Sequence, residues 1–199
     1  PCNMRCSYCF ATFEDVRAKL PKGHLERAEA IELTHELGSR FEKVTLVGGE
    51  PTLCPWLLDL LATAKQAGAV TMIVSNGSRL DDARLDELAE HLDWLTLSVD
   101  SASAVTHRRL GRVAGAVEVP YRAIADGARR RGIRLKLNTV VSRANVDEDL
   151  SELVAALAPE RWKVFQVLPV AGQNDGKVDD LLVSDAELRA FARRHRSLE

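Results

Sequence analysis

Three cysteines stand within the first ten residues, Pro1-Cys2-Asn3-Met4-Arg5-Cys6-Ser7-Tyr8-Cys9-Phe10, at the spacing C-x3-C-x2-C. Thiolates this close in sequence can converge on one small inorganic group. An iron–sulfur cube normally takes four thiolates, one per iron. Three would leave one iron without a protein ligand, an open corner at which a small molecule can bind and be activated. Zinc sites favour paired C-x2-C knuckles, and no second pair follows. A disulfide framework belongs to small secreted chains, whereas these residues show a large aliphatic content and no secretory leader. The remaining cysteine, Cys54, reads as a small buried hydrophobe.

Holding such a loop requires a core, and the composition provides for one. The 199 residues are 46% hydrophobic and 28% charged, as expected of one globular domain spanning 1–199. A net charge of −2 makes no bulk case for nucleic-acid or membrane partners, and no apolar run is long enough to cross a bilayer. Clustered thiols suit a reducing, cytoplasmic setting. The motif stands at the very start, so one more strand is expected ahead of Pro1 and further chain after the last helix.

Helix and strand signals then alternate. Residues 25–37 read as a helix with Ala30, Leu33 and Leu37 on one side and Gly38 as its stop. Residues 44–47 form a strand ending in Gly48-Gly49-Glu50-Pro51; 56–67 are helical; 69–75 form a strand ending in Ser75-Asn76-Gly77-Ser78. Asp81 caps a helix bearing Leu85, Leu88 and Leu92, and 94–99 make the next strand. Residues 103–115 are less regular. A helix over 118–131 has a basic last turn and Gly132 beyond it. Residues 133–141 form a strand, and Asn145 with Glu148 resembles a capping box ahead of Leu150, Leu153, Val154 and Leu157. A strand over 162–169, a loop over 171–180 and a helix opened by Ser184-x-x-Glu187 complete the chain. Such alternation predicts an α/β fold of parallel strands with right-handed crossovers. Without G-x-G-x-x-G after a strand, a partial (β/α) barrel follows more naturally than a doubly wound sheet.

In such barrels chemistry gathers at the strand C-termini. Polar and glycine residues do collect there: Gly48, Gly49, Glu50, Ser75, Asn76, Ser98 and Asn138. The Gly-Gly-Glu turn exposes backbone and one carboxylate where an amine can be held; a plain turn has the same pattern. Cations at strand positions need a separate reason. Lys43 opens one strand, Lys136 and Asn138 share one face of another, and Arg161 and Lys163 share a face of the last. If those faces point into the barrel, four cations and an amide line the cavity, which is prohibitive unless an anion fills it. A polyphosphate is the natural guest. The histidines (His24, His35, His91, His107, His195) read as solvated, and Trp56, Trp94 and Trp162 as packing residues.

The cysteine spacing, with aromatic Tyr8 before the last thiol, resembles the signature of the radical S-adenosylmethionine (SAM) enzymes. That resemblance implies a six-stranded partial barrel and a [4Fe-4S] cluster on Cys2, Cys6 and Cys9. The cluster's open iron chelates the amino and carboxylate groups of SAM, and one electron, from a donor of flavodoxin or ferredoxin type, cleaves it to a 5′-deoxyadenosyl radical. It also implies SAM contacts from Tyr8, Gly48, Gly49 and Glu50, with Ser75, Asn76 and Ser98 facing the carboxylate and ribose and Arg112 assisting.

A narrower resemblance is carried by Cys2-Asn3-x-x-Cys6-x-x-Cys9-Phe10, residues 74–78 (Val-Ser-Asn-Gly-Ser), Lys136-x-Asn138, residues 145–149 (Asn-Val-Asp-Glu-Asp) and above all residues 161–168 (Arg-Trp-Lys-Val-Phe-Gln-Val-Leu). These resemble the prokaryotic members of the viperin branch. The resemblance implies conversion of a ribonucleoside triphosphate (CTP, UTP or GTP) to its 3′-deoxy-3′,4′-didehydro form, a chain-terminating antiviral nucleotide. Lys43, Lys136, Asn138, Arg161 and Lys163 would then grip the triphosphate. Departures are Val47, where the animal enzymes have serine near the phosphates, and Ala11 in place of a histidine. The C-terminal portion that reads the base in that branch is absent from these residues. Two alternatives stay open: another radical SAM enzyme, such as one modifying a peptide, and a non-catalytic iron–sulfur or zinc protein.

Overall fold

Five short runs rich in Val, Ile, Leu and Thr become strands, and a helical crossover delivers each to the next. The structure is a computed structural model and describes residues 1–12, 25–115 and 118–198; His24 lies outside them. In order, α1 (Arg27–Arg40) leads to β1 (Lys43–Leu46), α2 (Leu57–Gln66) to β2 (Val70–Ser75), and α3 (Asp82–Ala89) to β3 (Trp94–Ser98). Then α4 (Ala104–Arg109) and α5 (Tyr121–Arg130) precede β4 (Arg134–Val141), α6 (Ser151–Leu157) precedes β5 (Arg161–Gln166), and α7 (Asp185–Arg194) follows, with a 3-10 turn over Arg196–Leu198 after it. All neighbouring strands run parallel, in the sheet order β1-β2-β3-β4-β5. That is the expected partial-barrel progression. Among the described residues no helix is long and apolar enough to cross a membrane.

Register assigns the two faces. Ile73 pairs with Leu95 and Leu97 with Leu137, and these side chains are buried with Leu61, Leu85 and Ile124 of the covering helices. Each fully buried aliphatic chain is worth roughly 2 kcal/mol over leaving it exposed. This face therefore holds the sheet, and the other is free to carry polar residues. Ser98 pairs with Asn138 and Asn138 with Lys163, placing them together on that second face.

Local signals and tertiary packing disagree in three places. Helix α1 does not stop at Gly38; it runs to Arg40 and buries Ala30, Thr34 and Gly38, leaving Leu33 and Leu37 exposed. The approach to α2 explains this, because a Cβ on Gly38 would sit 2.9 Å from the Ala67 Cβ and 3.2 Å from the Ala64 Cα. Small residues face the neighbour because nothing larger fits. The less regular stretch contains α4, capped by Ser103, whose hydroxyl accepts from the Thr106 N–H. The capping box at Asn145 and Glu148 does not form. Asn145 accepts from the Ser142 N–H and donates to the Asp100 and Val140 carbonyls, while Glu148 accepts from the hydroxyls of Ser101 and Thr106. Tertiary partners outcompete the local cap, and α6 begins at Ser151. At α7, Ser184 and Glu187 do form a capping box.

His195 is buried rather than solvated. Its Nε2 accepts from the Leu150 N–H at 2.8 Å, its Nδ1 lies 2.8 Å from the Phe191 carbonyl, and the ring packs on Trp162 and Phe191. The packing at Gly38 sets a test. Gly38→Leu lowers stability by roughly 1–3 kcal/mol through overpacking against α2, read as a fall in urea midpoint at unchanged slope, while Leu33→Ala on the exposed side moves it far less.

Candidate functional site

The cysteine loop has no regular structure of its own, so its shape comes from what clasps it. The Arg5 N–H donates to the Gly111 carbonyl and the Ser7 N–H to the Leu110 carbonyl, both at 3.1 Å; at the start the Glu50 N–H donates to the Pro1 carbonyl at 2.9 Å. Two glycines make these approaches possible. A Cβ on Gly49 would stand 2.1 Å from the Pro1 carbonyl oxygen, and one on Gly111 2.1 Å from that of Arg5. Gly111 also has φ +71°, which a side chain disfavours. Further along, Asn174 donates to the Tyr8 and Leu168 carbonyls, tying the loop after β5 to the cysteines. Gly111 and Asn174 were missed in the sequence, because neither sits in a chemical motif.

Behind the loop lies a buried charged group. Asp100, just past β3, is 1% exposed and Arg112 6%. Arg112 Nε lies 3.1 Å from Asp100 Oδ2 as an ion pair, and its Nη groups donate to the Tyr8 hydroxyl and the Ser98 carbonyl. Asp100 also accepts from the Tyr8 hydroxyl and, at 2.7 Å, from the Val140 N–H. Burial and the Asp100 charge hold the Tyr8 phenol well above its usual value. Burial alone would lower Arg112, but Asp100 and Tyr8 hold it protonated. Tyr8 and Arg112 thus bond to one another, to Asp100 and to Ser98, and both also form part of the wall of the pocket at the strand C-termini. Beside them His107, expected in solvent, has a buried Nε2 with no hydrogen-bond partner among the described residues and lies edge-on to Tyr121. Burial, then the Arg112 charge, lowers its pKa.

Glu50 and Ser75 are likewise bonded within the protein. Glu50 was expected to present its carboxylate to an amine, yet it is 2% exposed. Its oxygens accept from the Ser75 hydroxyl at 2.8 Å, the Asn76 N–H at 2.8 Å and the Thr52 hydroxyl at 2.7 Å. The pair ties the ends of β1 and β2 together beneath the loop. Asn76, itself buried, donates to Asn3 Oδ1, which fastens the loop to the end of β2.

These constraints leave a pocket of about 660 Å³ at the strand C-termini. Cys2, Cys6 and Cys9 line it from the loop; Gly48, Gly49, Asn76, Ser98, Asn138, Val140 and Phe165 line it from the sheet. All three thiols are free of disulfides. Among the described residues no group of His, Cys, Asp and Glu gathers around a single ion; a cubane instead spreads one thiolate to each of three irons. Burial pushes the Cys6 thiol up to about 11, so only a bound cation would hold it as thiolate at neutral pH. The Oδ1 of Asn138 is buried, has no hydrogen-bond partner among the described residues and stands in this wall, ready to accept from a guest. A [4Fe-4S] cluster with SAM fits this donor set, and the pocket is large enough for a ligand of that size.

Below the pocket on the same face lie the strand cations. Lys43 and Arg161 are exposed, and Lys136 and Lys163 half-buried. The expected buried cavity is thus an open concave face, and the desolvation case for an anion is weaker than supposed. Mutual repulsion makes a better one. Burial and then Arg134 and Arg161 lower Lys43; burial and then Lys163, Arg161 and Lys43 lower Lys136. Arg134 has Glu160 at 2.6 Å, but among the described residues Lys43, Lys136, Arg161 and Lys163 have no ion-pair partner. Trp94 packs between Lys43 (5.0 Å) and Arg134 (3.9 Å) at the floor.

Comparison with known proteins agrees with this geometry. The family model of the Radical SAM superfamily matches residues 2–157. An S-adenosylmethionine-dependent nucleotide dehydratase of Flammeovirga pacifica is 47% identical over 98% of this chain and 69% of its own length. A second, from Lacinutrix mariniflava, is 44% identical over 100% of this chain and 43% of its own length. Among solved structures, Streptococcus suis SuiB bound to S-adenosylmethionine superposes at TM-score 0.75 over 99% of this chain and 45% of its own, at 19% identity, a likeness of fold.

Two outcomes follow from the clasp and from His107. Gly111→Val displaces Arg5 and the loop, so anaerobic reconstitution loads at least severalfold less iron and sulfide per chain, by chemical assay, while far-ultraviolet circular dichroism is unchanged. A histidine with a lowered folded pKa binds its proton more readily when unfolded. Stability therefore falls as pH drops below the unfolded value of 6.5. Urea midpoints between pH 7 and 5 decline in the parent protein, and His107→Phe has the shallower slope.

Proposed function

This chain belongs to the radical SAM superfamily, among the S-adenosylmethionine-dependent nucleotide dehydratases, and from that membership we propose that it dehydrates a ribonucleoside triphosphate. The reaction removes the ribose 4′ hydrogen atom, expels the 3′-hydroxyl with one added proton as water and takes up one electron, a lyase-type elimination giving the 3′-deoxy-3′,4′-didehydro nucleotide. The observation that carries the reading is the adjacency, on one face of the sheet, of a thiol-lined pocket and a row of unpaired cations.

Each group has a distinct task. Cys2, Cys6 and Cys9 hold the [4Fe-4S] cluster, which with SAM supplies a carbon-centred radical able to take a hydrogen atom. Gly48 and Gly49 let backbone approach the cofactor, with Asn76 and Ser98 beside them in the wall. Glu50 and Ser75 act from behind, fixing the strand ends, while Tyr8 and Arg112 brace the loop and stand in the pocket wall. Lys43, Lys136, Arg161 and Lys163 hold the triphosphate. Arg161 offers a planar fork and the lysines point charges, and together they relieve the repulsion that lowers Lys43 and Lys136. Asn138 lines the pocket and pairs in register with Lys163, so it spans cofactor and substrate. These contacts fix the ribose near the radical source; positioning is the protein's share of the catalysis.

The reconstituted protein, given SAM, dithionite and each ribonucleoside triphosphate in turn, forms 5′-deoxyadenosine faster with one of them, with a product lighter by one water in the mass spectrum. Cleavage indifferent to every nucleotide would sink the reading and leave a radical SAM enzyme of another substrate. Lys163→Ala weakens nucleotide affinity roughly tenfold or more, as loss of a charge-assisted contact requires, while SAM cleavage persists. Unchanged affinity removes Lys163 from the triphosphate site.

A further inference from the structure

Asn138 is one of four side chains, among the described residues, with a buried nitrogen or oxygen that makes no hydrogen bond; the others are His107 Nε2, Arg112 Nε and the Tyr121 hydroxyl. Asn138 lines the thiol pocket. The other three residues line a second cavity of about 520 Å³, set between the chain after β3, α4 and the first turn of α5. A buried polar atom without a partner forfeits its hydration and gains nothing for it, so such atoms are rare. Three in the residues of one wall call for a partner from outside the chain. They also stand together: the His107 and Tyr121 rings meet edge-on with centroids 5.8 Å apart, and the Arg112 charge acts on both. Arg112 is 6% exposed and Tyr121 8%.

The chemistry of these atoms selects the guest. Arg112 Nε–H can only donate; although it lies 3.1 Å from Asp100 Oδ2 as an ion pair, it makes no hydrogen bond. Burial holds the Tyr121 phenol above its usual value, so it keeps a proton to share. Burial, then the Arg112 charge, keeps His107 neutral, with one ring N–H to give. Helix α5 adds backbone donors. Pro120 provides no side-chain cap, the first turn holds no acidic residue, and the first N–H groups of a helix have no partner within it. Arg122 and Ala123 of that turn line the cavity. Its charged lining is Arg108, Arg112 and Arg122 against Glu118 alone, and Arg108 reaches Glu118 only at 3.7 Å. Ala102, Ala104, Val113, Val119 and Leu153 make the rest of the wall apolar.

We propose that this second cavity binds a small organic oxyanion, a carboxylate or phosphate monoester on an apolar body, whose oxygens accept from Tyr121, His107 and the start of α5. Its volume is ordinary for a small-molecule site. The donor set separates it from a packing gap between helices, because cavities that stay empty are apolar. Arg112 stands in both walls, so a guest here touches a residue that also borders the thiol pocket.

Benzoate and phenyl phosphate serve as probes, with benzyl alcohol as the uncharged control, in anaerobic titration calorimetry of the reconstituted protein. At least one anion binds roughly tenfold more tightly than benzyl alcohol, which cannot form charge-assisted bonds. The tighter anion tells a carboxylate ligand from a phosphate. Tyr121→Phe weakens that binding roughly tenfold and leaves the urea midpoint unchanged or higher, because the hydroxyl has no partner to lose. Ala123→Trp, at an exposed position of the first turn, fills the cavity and abolishes binding. Lys163→Ala, on the cation row of the sheet, leaves it intact. Heat from neither anion overturns the proposal. So does affinity that survives Tyr121→Phe and falls in Lys163→Ala, which puts the anion on the cation row. Benzyl alcohol bound as tightly as the anions overturns it too.

Discussion

A carboxylate that water barely reaches organises the upper end of this sheet. Asp100 accepts from the Tyr8 hydroxyl and the Val140 N–H, pairs with Arg112, and through its carbonyl receives Asn145. Burying two opposite charges costs several kcal/mol in desolvation, recovered only when nearly every polar atom is satisfied. Here the satisfying groups come from the cysteine loop, the end of β3, the chain after α4, β4 and the turn that follows it. The requirement that Asp100 stay satisfied therefore pins those segments to one another. Because Tyr8 lies between Cys6 and Cys9, the same requirement sets where the thiols stand.

The concave face divides in two. Its upper half is closed electrostatically: Arg112 is neutralised, Glu50 is bonded by Ser75, Asn76 and Thr52, and Asn138 Oδ1 is left over. Its lower half is frustrated: burial and then neighbouring cations lower Lys43 and Lys136, and Asp93 offsets this only in part at Lys43. A site that leaves charges unpaired while its neighbours are satisfied holds a standing preference for an anion of several charges. That contrast separates the part of the face suited to a zwitterionic cofactor from the part suited to a polyphosphate.

Some of this was legible in the chain because the chemistry is local. The C-x3-C-x2-C spacing, the glycines after β1, the alternation of Lys136 with Asn138 and the capping box at Ser184 each declare themselves within a few residues. The strand order followed from the regular spacing of strands and helices. The illegible features share one cause, a tertiary partner that overrides a local preference. Gly38 looks like a helix stop until α2 demands a small residue. Asn145 and Glu148 look like a cap until Asp100, Ser101 and Thr106 claim them. Glu50 looks like a ligand until Ser75 and Asn76 turn it inward. His195 carries no sequence signal that Leu150 will donate to it. Asp100 itself was only a strand-end residue.

The loop's lack of secondary structure couples metal binding to the fold. Pro1 to Phe10 is held by backbone bonds at Pro1, Arg5 and Ser7 and by side chains whose burial depends on the loop staying in place. If the loop lifts, Asp100 and Arg112 lose Tyr8 and gain water, and Tyr8 leaves the apolar cluster it shares with the leucines beneath the helices, so loop seating and core packing are linked. Iron held by Cys2, Cys6 and Cys9 would tie the loop at three points, and the free energy of that binding would add to whatever keeps it in place. The buried charged group then serves less as a source of stability than as a register device: it permits one seating of the loop, which a cluster on the three thiols would secure.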